Sequence, residues 1–558
     1  PVAILPTEIE TDYTENQIFD YRKKYLPTRR VTYHCPPRFS TEIMEAIQIQ
    51  AEQLFKVLGM RDFGRFDGWV LPNGNIWFSD FNPISGMEQN SFLFQQAARI
   101  GLSHQHVLRY IVEHACQRHQ IPLPKPSILQ EKRKPVHVIF GGNTSERQVA
   151  LMSGTNVWLK LLSSKLYDPK PFLMDLEGSV WTLPYSLTLN HTVEEIAENC
   201  QNAKTDAARL NLLERKTRLK LGLISSVQEK DKMHQPQKMS LTQFIKQAKF
   251  VFIGFHGGMG ENGEFQKRLI KAGIKFNGSG ESVSRLCMDK NTTAKHINTF
   301  KQKDIETIPE EIVSVDHLLV LSKKELELFW HTLRKKFHAQ YLLAKPRADG
   351  CSSGIVRLTS AQELKAYLNC IKSGVSAIPK DTFHHQLNPI EMPLTPVREF
   401  LLQKYIETDD IHVTHHQLKY KKKNGWVEIT VGFLEQAGTI QVFQPSLTVT
   451  EGDILSVEEK FQGGTGINIT PPPKEIIKPK ILTHGKELLK ELIQKIGLQG
   501  YGRIDAFMHV TTGRLIIIEV NTLPALTPST VFFHQALAEP SPLFPKQLIE
   551  TIIQNTGY

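Results

Sequence analysis

Apolar positions along this chain keep two rhythms. At helical spacing stand Ile43, Ile47, Leu54 and Leu58, and later Leu488, Leu492, Ile493 and Ile496, so each set predicts an amphipathic helix with one face turned to a core. After each helix the pattern changes to strand and turn. Leu58–Met87 reads LGMRDFGRFDGWVLPNGNIWFSDFNPISGM, and Ile496–Leu526 reads IGLQGYGRIDAFMHVTTGRLIIIEVNTLPAL. Short apolar runs at Val136–Phe140, leading into His256 and ending at Lys345 predict buried strands.

The two helix-plus-strand stretches are copies. Both contain G-R-[FI]-D, a turn, then an acidic residue, one spacer and Asn. Arg65 and Arg503 stand 438 residues apart, Asn82 and Asn521 439, and the upstream Lys24 and Lys460 436. That period is too long for a solenoid repeat and signals a duplicated enzyme-sized unit. In 558 residues both units cannot be complete. The expected organisation is the last third of one unit over residues 1–120, a Pro- and Lys-rich linker over 121–134, and a whole unit from 135 to 558. The chain opens at Pro1 with no Met and no leader pattern, and is expected to be a fragment or processed product.

Side chains two apart on a strand share a face, which pairs Arg503 with Asp505 and Glu519 with Asn521. Folding about a three-residue loop, Thr511-Thr512-Gly513, sets Asp505 opposite Glu519 and Arg503 opposite Asn521. In the first copy a two-residue Asn73-Gly74 turn sets Asp67 opposite Asp80 and Arg65 opposite Asn82. Opposed carboxylates repel, and a divalent cation between them removes the conflict. Two carboxylates and an amide oxygen are hard ligands suited to Mg²⁺. With an arginine alongside, they describe a phosphoryl-transfer site with two metal ions. The alternative is a surface hairpin with solvated charges.

Composition narrows the classes. Hydrophobic residues are 40% and charged residues 22%, ordinary for a globular protein, and no apolar run is long enough to span a bilayer. The net charge of +10 is spread rather than striped, with short runs only at Lys419–Lys423 and Glu214–Lys220, so neither nucleic acid nor membrane is an expected partner. Six cysteines without a CxxC pair argue against a disulfide framework and a zinc site.

Other stretches bear on chemistry. Val136–Gly154 (VHVIFGGNTSERQVALMSG) places Glu146 near a helix N-terminus, where it could anchor an ammonium; a dinucleotide fingerprint is absent. Phe252–Gln266 (FIGFHGGMGENGEFQ) is a Gly-rich loop after a strand, with His256 either a ligand donor or a structural histidine. Lys290 and Lys345 stand isolated. Lys345–Gly354 (KPRADGCSSG), which holds Cys351 and Ser352, is a loop of the kind that closes over phosphates, though not a Walker A loop.

Taken in order, FGGNTSERQVALMSG, HGGMGENGEFQ, NGSGESVSRLCMDK, KPRADGCSSG, GYGRIDAF and IIIEVNTLPALTPST resemble the D-alanine–D-alanine ligases of the ATP-grasp superfamily. With the EEKFQGGTGINITPPP segment, the tandem arrangement is similar to the duplicated ligase-like proteins of plants. The resemblance implies an α/β (α+β) ATP-grasp fold. It comprises a Rossmann-like N-terminal substrate domain at 135–285, a central ATP-binding lobe with its lid at 286–395, and a C-terminal lobe with the Mg²⁺ site at 396–558. It implies ATP and two Mg²⁺ (Mn²⁺ being an acceptable replacement), D-alanine as substrate, a homodimer as in related ligases, and a plastid setting with a role in peptidoglycan synthesis.

It also implies roles for matching residues. Lys290 and Lys345 would hold the α/β-phosphates, with Ser352 in the lid. Gln403, Lys404 and Ile406 would lie at the adenine hinge, Glu428 on the ribose and Lys460 at the γ-phosphate. Asp505, Glu519 and Asn521 would carry the metal ions. Glu146 and His256 would meet the first D-alanine, and Arg503 its acyl phosphate. Thr530 and Val531 would meet the second substrate's carboxylate, with the backbone of Ala525 facing the oxyanion.

Three positions depart from the family: Cys351 where Ser is usual, Phe461 where many dipeptide-forming members have Tyr, and Ala525 where Gly is usual. The Glu–Ser–Tyr hydrogen-bond triad of bacterial relatives becomes Glu146–Cys351–Phe461, with a weak donor and a ring that donates nothing. Looser lid ordering and acceptance of a hydroxy acid such as D-lactate follow as expectations. The first copy keeps Arg65, Asp67, Asp80 and Asn82 but lacks the phosphate lysines and lid, so it is expected to be silent. Competing readings are another ATP-grasp carboxylate–amine ligase and a degenerate ATP-binding regulator. The basic stretch 200–240 has no function legible in its residues.

Overall fold

The computed structural model describes all residues except 12–30, 124–131, 222–234, 348–353, 385, 387, 394–395, 415–416 and 450–466. Cys351, Ser352, Lys460, Phe461 and Lys24 therefore lie outside the described residues. The chain divides into two compact units. One comprises Pro1–Lys134, Gly141–Asn143 and Lys170–Phe244; the other comprises Pro135–Phe140, Thr144–Pro169 and Ile245–Tyr558.

The second unit contains three sets of strands. β1 (Lys134–Gly141) leads into helix α1 (Arg147–Leu162) and pairs in parallel with β2 (Phe250–Ile253), which pairs in parallel with β3 (Lys275–Phe276). The apolar runs Val136–Phe140 of β1 and Phe250–Ile253 of β2 are buried, as a parallel sheet requires. Helix α2 (Lys290–Thr299) and β4 (Ile305–Thr307) follow. The central lobe is an antiparallel sheet of β5 (Glu310–Ser314), β6 (Leu342–Pro346), β7 (Val356–Leu358) and β8 (Glu399–Lys404), in the order β5-β8-β6-β7. Trp330, Leu333, Phe337, Leu364, Tyr367 and Leu368 from two helices pack on it with Leu342, Phe400 and Leu402.

The C-terminal lobe is built on β9 (Trp426–Gln436), β10 (Ser446–Val449), helix α3 (Pro479–Ile496), β11 (Tyr501–His509) and β12 (Leu515–Asn521). β12 lies between β4, in parallel, and β11; β11 pairs with β9, and β9 with β10. Helix α3 starts with a proline at its first position, where no N–H is needed, and ends on Gly497 at φ +80°. Its predicted face is buried: Leu488, Leu492, Ile493 and Ile496 pack with Ile429, Val431, Ile504 and Met508. Each buried leucine there contributes roughly 1.5–3 kcal/mol. Helix α3 packs closely here, and a Cβ on Gly485 would sit 2.2 Å from Met508 Cε, so the end of that methionine would have to move.

In the first unit, helix Thr41–Val57 precedes a two-stranded hairpin, Arg65–Val70 with Ile76–Asn82. Its apolar stripe is less buried than expected. Leu58 is 51% exposed, against 6% for Ile496 at the matching place. Trp77 and Phe81 are exposed, whereas Ile516 and Val520 at the corresponding positions are buried. The flanking strands that cover the second hairpin have no counterparts on the first among the described residues.

The basic stretch that carried no functional reading acquires a structural one. Its helix, Val193–Lys220, lies against the first-copy segment. Leu213 and Leu221 pack on Leu5 and Ile100. Lys216 pairs with Glu45, Lys220 with Glu52 at 3.4 Å, and Arg218 Nη1 donates to the carbonyl of Ile100 at 3.1 Å. Two of its lysines thus meet acids of that segment. No helix among the described residues is long and apolar enough to cross a membrane, and the described cysteines are free.

Candidate functional site

The two hairpins reach the expected quartets by a route that the residues did not reveal. Arg503 pairs with Asn521 and Asp505 with Glu519; in the first copy Arg65 pairs with Asn82 and Asp67 with Asp80. Neither expected turn forms. His509 N–H donates to the carbonyl of Arg514, making Val510–Gly513 a four-residue loop, and Leu71 N–H donates to that of Asn75, making Pro72–Gly74 a three-residue loop. Each loop ends on a left-handed glycine, Gly513 at φ +75° and Gly74 at φ +83°. Both ladders then shift register, between Asp505 and Ala506 and between Asp67 and Gly68, with Ile518 and Ser79 as the extra residues. A bulge of one residue re-aims the strand. Here it realigns the four polar side chains in both hairpins.

Around the second hairpin the charges are interlocked. Arg503 Nε and Nη2 donate to Asp505 Oδ1 and Oδ2 at 3.0 and 2.8 Å, and Nη2 lies 3.9 Å from Glu519 Oε1. Thr430 Oγ1, from β9, donates to Asp505 Oδ1 at 2.8 Å. Asn521 Nδ2 stands 3.4 Å from both Asp505 Oδ2 and Glu519 Oε1. Lys290 Nζ lies 3.7 Å from Glu519 Oε2. Burial opposes the charge on Arg503, yet Asp505 and Glu519 hold its pKa well above the ordinary value.

Lys290 opens helix α2, where Asp289 accepts from the Thr292 N–H at 2.8 Å. Arg347, two residues beyond the buried Lys345, binds Asp289 Oδ2 through Nε at 3.1 Å and Nη2 at 2.9 Å. The segments bearing the two lysines are therefore tied together. On β8, Gln403 is buried with its amide nitrogen on the Glu310 carboxylate, while Oε1 has no partner among the described residues. Lys404 and Ile406 follow at the strand's end, and Lys404 N–H donates to the carbonyl of Pro309 at 3.0 Å. Glu428 lies on β9 opposite Phe507 of β11.

The opposite wall comes from α1 and the Gly-rich loop. Glu146 is the N-cap residue of α1. A Cβ on Gly257 would come within 2.8 Å of Glu146 Oε2, and Gly257 N–H donates to Glu261 Oε2 at 2.6 Å. Gly257 has φ +69°, so only glycine lets the two carboxylates crowd one backbone position. Burial, and next the Glu146 charge, push Glu261 up to about 8. His256 is buried, its Nε2 3.0 Å from Ser153 Oγ, and burial pushes it down to about 4. At the far end, Thr530 caps helix α4 (Val531–Leu537) and donates to the carbonyl of Ala525 at 2.8 Å. Glu261, Thr430 and Asp289 escaped sequence reasoning. Glu261 lies inside the glycine-rich stretch His256–Gln266, where nothing in the spacing sets it apart.

The donor set suits a divalent ion: two facing carboxylates and an amide supply hard oxygens, with open positions left for phosphate. No group of three or more His, Cys, Asp or Glu able to hold a metal occurs among the described residues. This set has only two acids, Asp505 and Glu519, with the Asn521 amide beside them.

Comparison with known proteins agrees in order and position. A family model described as "D-ala D-ala ligase N-terminus" matches residues 135–279, and one described as "D-ala D-ala ligase C-terminus" matches residues 3–113 and 419–554. The D-alanine–D-alanine ligase of Leptospira interrogans (strain 56601) is 24% identical over 409 residues, covering 72% of this chain and 93% of its own length. That of Lacticaseibacillus casei (strain BL23) is 24% identical over 412 residues, covering 72% and 90%. Among solved structures, the D-alanine–D-alanine ligase from Coxiella burnetii is 15% identical with a TM-score of 0.48, covering 76% of this chain and 95% of that one. The two models of one enzyme family, which together match residues 3–113, 135–279 and 419–554 and so include the Arg503–Asp505–Glu519–Asn521 hairpin, place this chain in the D-alanine–D-alanine ligase family.

Proposed function

We propose that the chain joins two D-alanines at the expense of ATP. The carboxylate of the first attacks the γ-phosphorus, ADP leaves, and the resulting acyl phosphate is attacked by the amine of the second. An amide bond forms, phosphate departs with the bonding pair, and the amine sheds a proton. The observation that carries this reading is the clustering of Glu146, Glu261, Arg503, Asp505 and Glu519, an ammonium-binding end beside an anion-binding end.

Within it, Glu146 takes the first ammonium and Arg503 steadies the acyl phosphate. Lys290 and Lys345 hold phosphate oxygens. Gln403 Oε1, a buried acceptor without a partner among the described residues, suits the exocyclic amine of adenine. Lys404, Ile406 and Glu428 complete the nucleotide contacts, and the lid (Cys351, Ser352) with Lys460 closes them. Asp505, Glu519 and Asn521 would hold Mg²⁺, which when bound offsets charge on the transferring phosphoryl group. Thr530, Val531 and the backbone at Ala525 receive the second substrate. His256, engaged by Ser153, acts by positioning.

The domain boundaries proposed are 135–285, 286–395 and 396–558, after a partial, silent lobe at 1–120 from a tandem duplication. A plastid setting, a peptidoglycan role and a homodimer belong to the same reading. Phe461 and Cys351 favour a second reading, ligation to D-lactate. Incubation with Mg-ATP and D-alanine, with and without D-lactate, followed by mass analysis tests both. D-alanyl-D-alanine is expected; ATP turnover indifferent to D-alanine would overturn the proposal.

A further inference from the structure

Helix α1 carries more than Glu146. Two turns on, Ser153 and Asn156 are buried, with 3% and 1% exposure. Leu526 N–H donates to Ser153 Oγ at 3.1 Å, and Asn156 Nδ2 donates to the Leu526 carbonyl at 2.8 Å. Both backbone groups of Leu526, the residue after Ala525, are thus held by one helix. Ser153 accepts from Leu526, so its own hydrogen is free for His256 Nε2 at 3.0 Å. The ring's remaining N–H then serves the backbone of Leu523, and burial keeps the imidazole neutral. Thr530 closes the loop onto Ala525 at 2.8 Å. The segment from Leu523 to Thr530 is pinned from one side by α1 and from within by Thr530.

We propose that Ser153 and Asn156 are positioning residues that set the spacing between the two substrates, so that the acyl phosphate is consumed by amine rather than by water. The inference rests on the ligase reading. Glu146 and Ser153 are seven residues apart on a helix rising about 1.5 Å per residue, so α1 fixes roughly 10 Å between the first ammonium's anchor and the brace of the second substrate's loop. Proper aminolysis forms the C–N bond as the bond from acyl carbon to phosphate oxygen breaks. With the loop displaced, water forms a C–O bond at the same carbon and the same bond to phosphate breaks. D-alanine and phosphate are returned, one proton goes to solvent, and ATP has been hydrolysed. A small displacement suffices, because a misplacement of about 1 Å costs up to about 100-fold in such a reaction.

The test measures phosphate released per dipeptide formed, in the whole chain, for Ser153→Ala, Asn156→Asp and Ser153→Thr. In Ser153→Ala, dipeptide formation is expected to fall about tenfold and ADP release at most about threefold, so the ratio rises from one to roughly three or more. KM for the second D-alanine rises, KM for ATP does not, and Ser153→Thr restores coupling. Asn156→Asp keeps the shape but loses the donor to Leu526, and decides by the same ratio if Ser153→Ala does not fold. A ratio of one in the folded variants overturns the inference. A wild-type chain that makes no D-alanyl-D-alanine overturns the ligase reading instead.

Discussion

Replacing Glu519 by glutamine keeps the side chain's size and removes one charge from the hairpin. Glu519 lies 3.7 Å from Lys290 Nζ and 3.9 Å from Arg503 Nη2, with its side chain 24% exposed. Ion pairs of that length and exposure contribute at most about 1 kcal/mol each. Removing the charge also relieves repulsion with Asp505, its cross-strand partner. The melting temperature of the ligand-free protein should therefore move by no more than about 3 °C. Catalysis should respond differently. A preorganised group that stabilises transition-state charge is worth on the order of 3–4 kcal/mol, so turnover should fall roughly 10²–10³-fold. Mg-ADP at 100 times its Kd should stabilise the wild type by about 2.7 kcal/mol and the variant by clearly less. ADP release at saturating substrates, read beside thermal melts, separates these effects. Asp80→Ala, the matching change in the first hairpin, is the control and should leave turnover within about twofold. A Glu519→Gln enzyme retaining more than about a tenth of wild-type turnover at saturating Mg²⁺ would refute the reasoning.

Stability should fall as pH rises from about 6.5 to 8.5. Glu261, pushed up to about 8, and Glu195, pushed up to about 7, each chiefly by burial, keep protons that unfolded carboxyls have lost. Their contribution is complete below the ordinary carboxylate range and is lost as pH passes through those values. His256 and His191, pushed down to about 4 by burial, act in the opposite sense but only below about pH 6.5. A loss on the order of 1–2 kcal/mol across the upper window is expected in urea melts, and Glu261→Gln should flatten it; a rising profile would contradict the assignment. Leu213→Ala should loosen the first-copy segment by about 1–3 kcal/mol, since Leu213 is only partly buried against Leu5 and Ile100. Faster proteolysis of residues 1–120 at unchanged ligase turnover would confirm it, and equal proteolysis would not.

The quartet is legible because strand alternation is a property of the backbone, and two similar stretches with different loops have to agree. Each loop is one residue longer than its turn residues predict. Nothing in the composition of Ile518 or Ser79 marks a bulge, and the bulge cancels the loop error where it matters. The helix stripe at Leu488–Ile496 read correctly because a complete sheet covers it; the same pattern at Ile43–Leu58 lacks such a cover, and Leu58 is exposed. The role of Val193–Lys220 was not legible, because its partners Glu45, Glu52 and Ile100 lie more than 100 residues away. Glu261 is not legible in the sequence because its perturbation comes from burial and from Glu146, neither of which has a signature in spacing.

On the proposed function, the hairpin carrying Asp505, Glu519 and Asn521 would hold the ions that accompany the nucleotide. Crystals grown with Mn²⁺ and ADP and measured at the manganese absorption edge test it most directly. Anomalous peaks between Asp505 and Glu519, with none between Asp67 and Asp80, are predicted. Peaks elsewhere, with those two carboxylates bound only to Arg503 and Lys290, would contradict it.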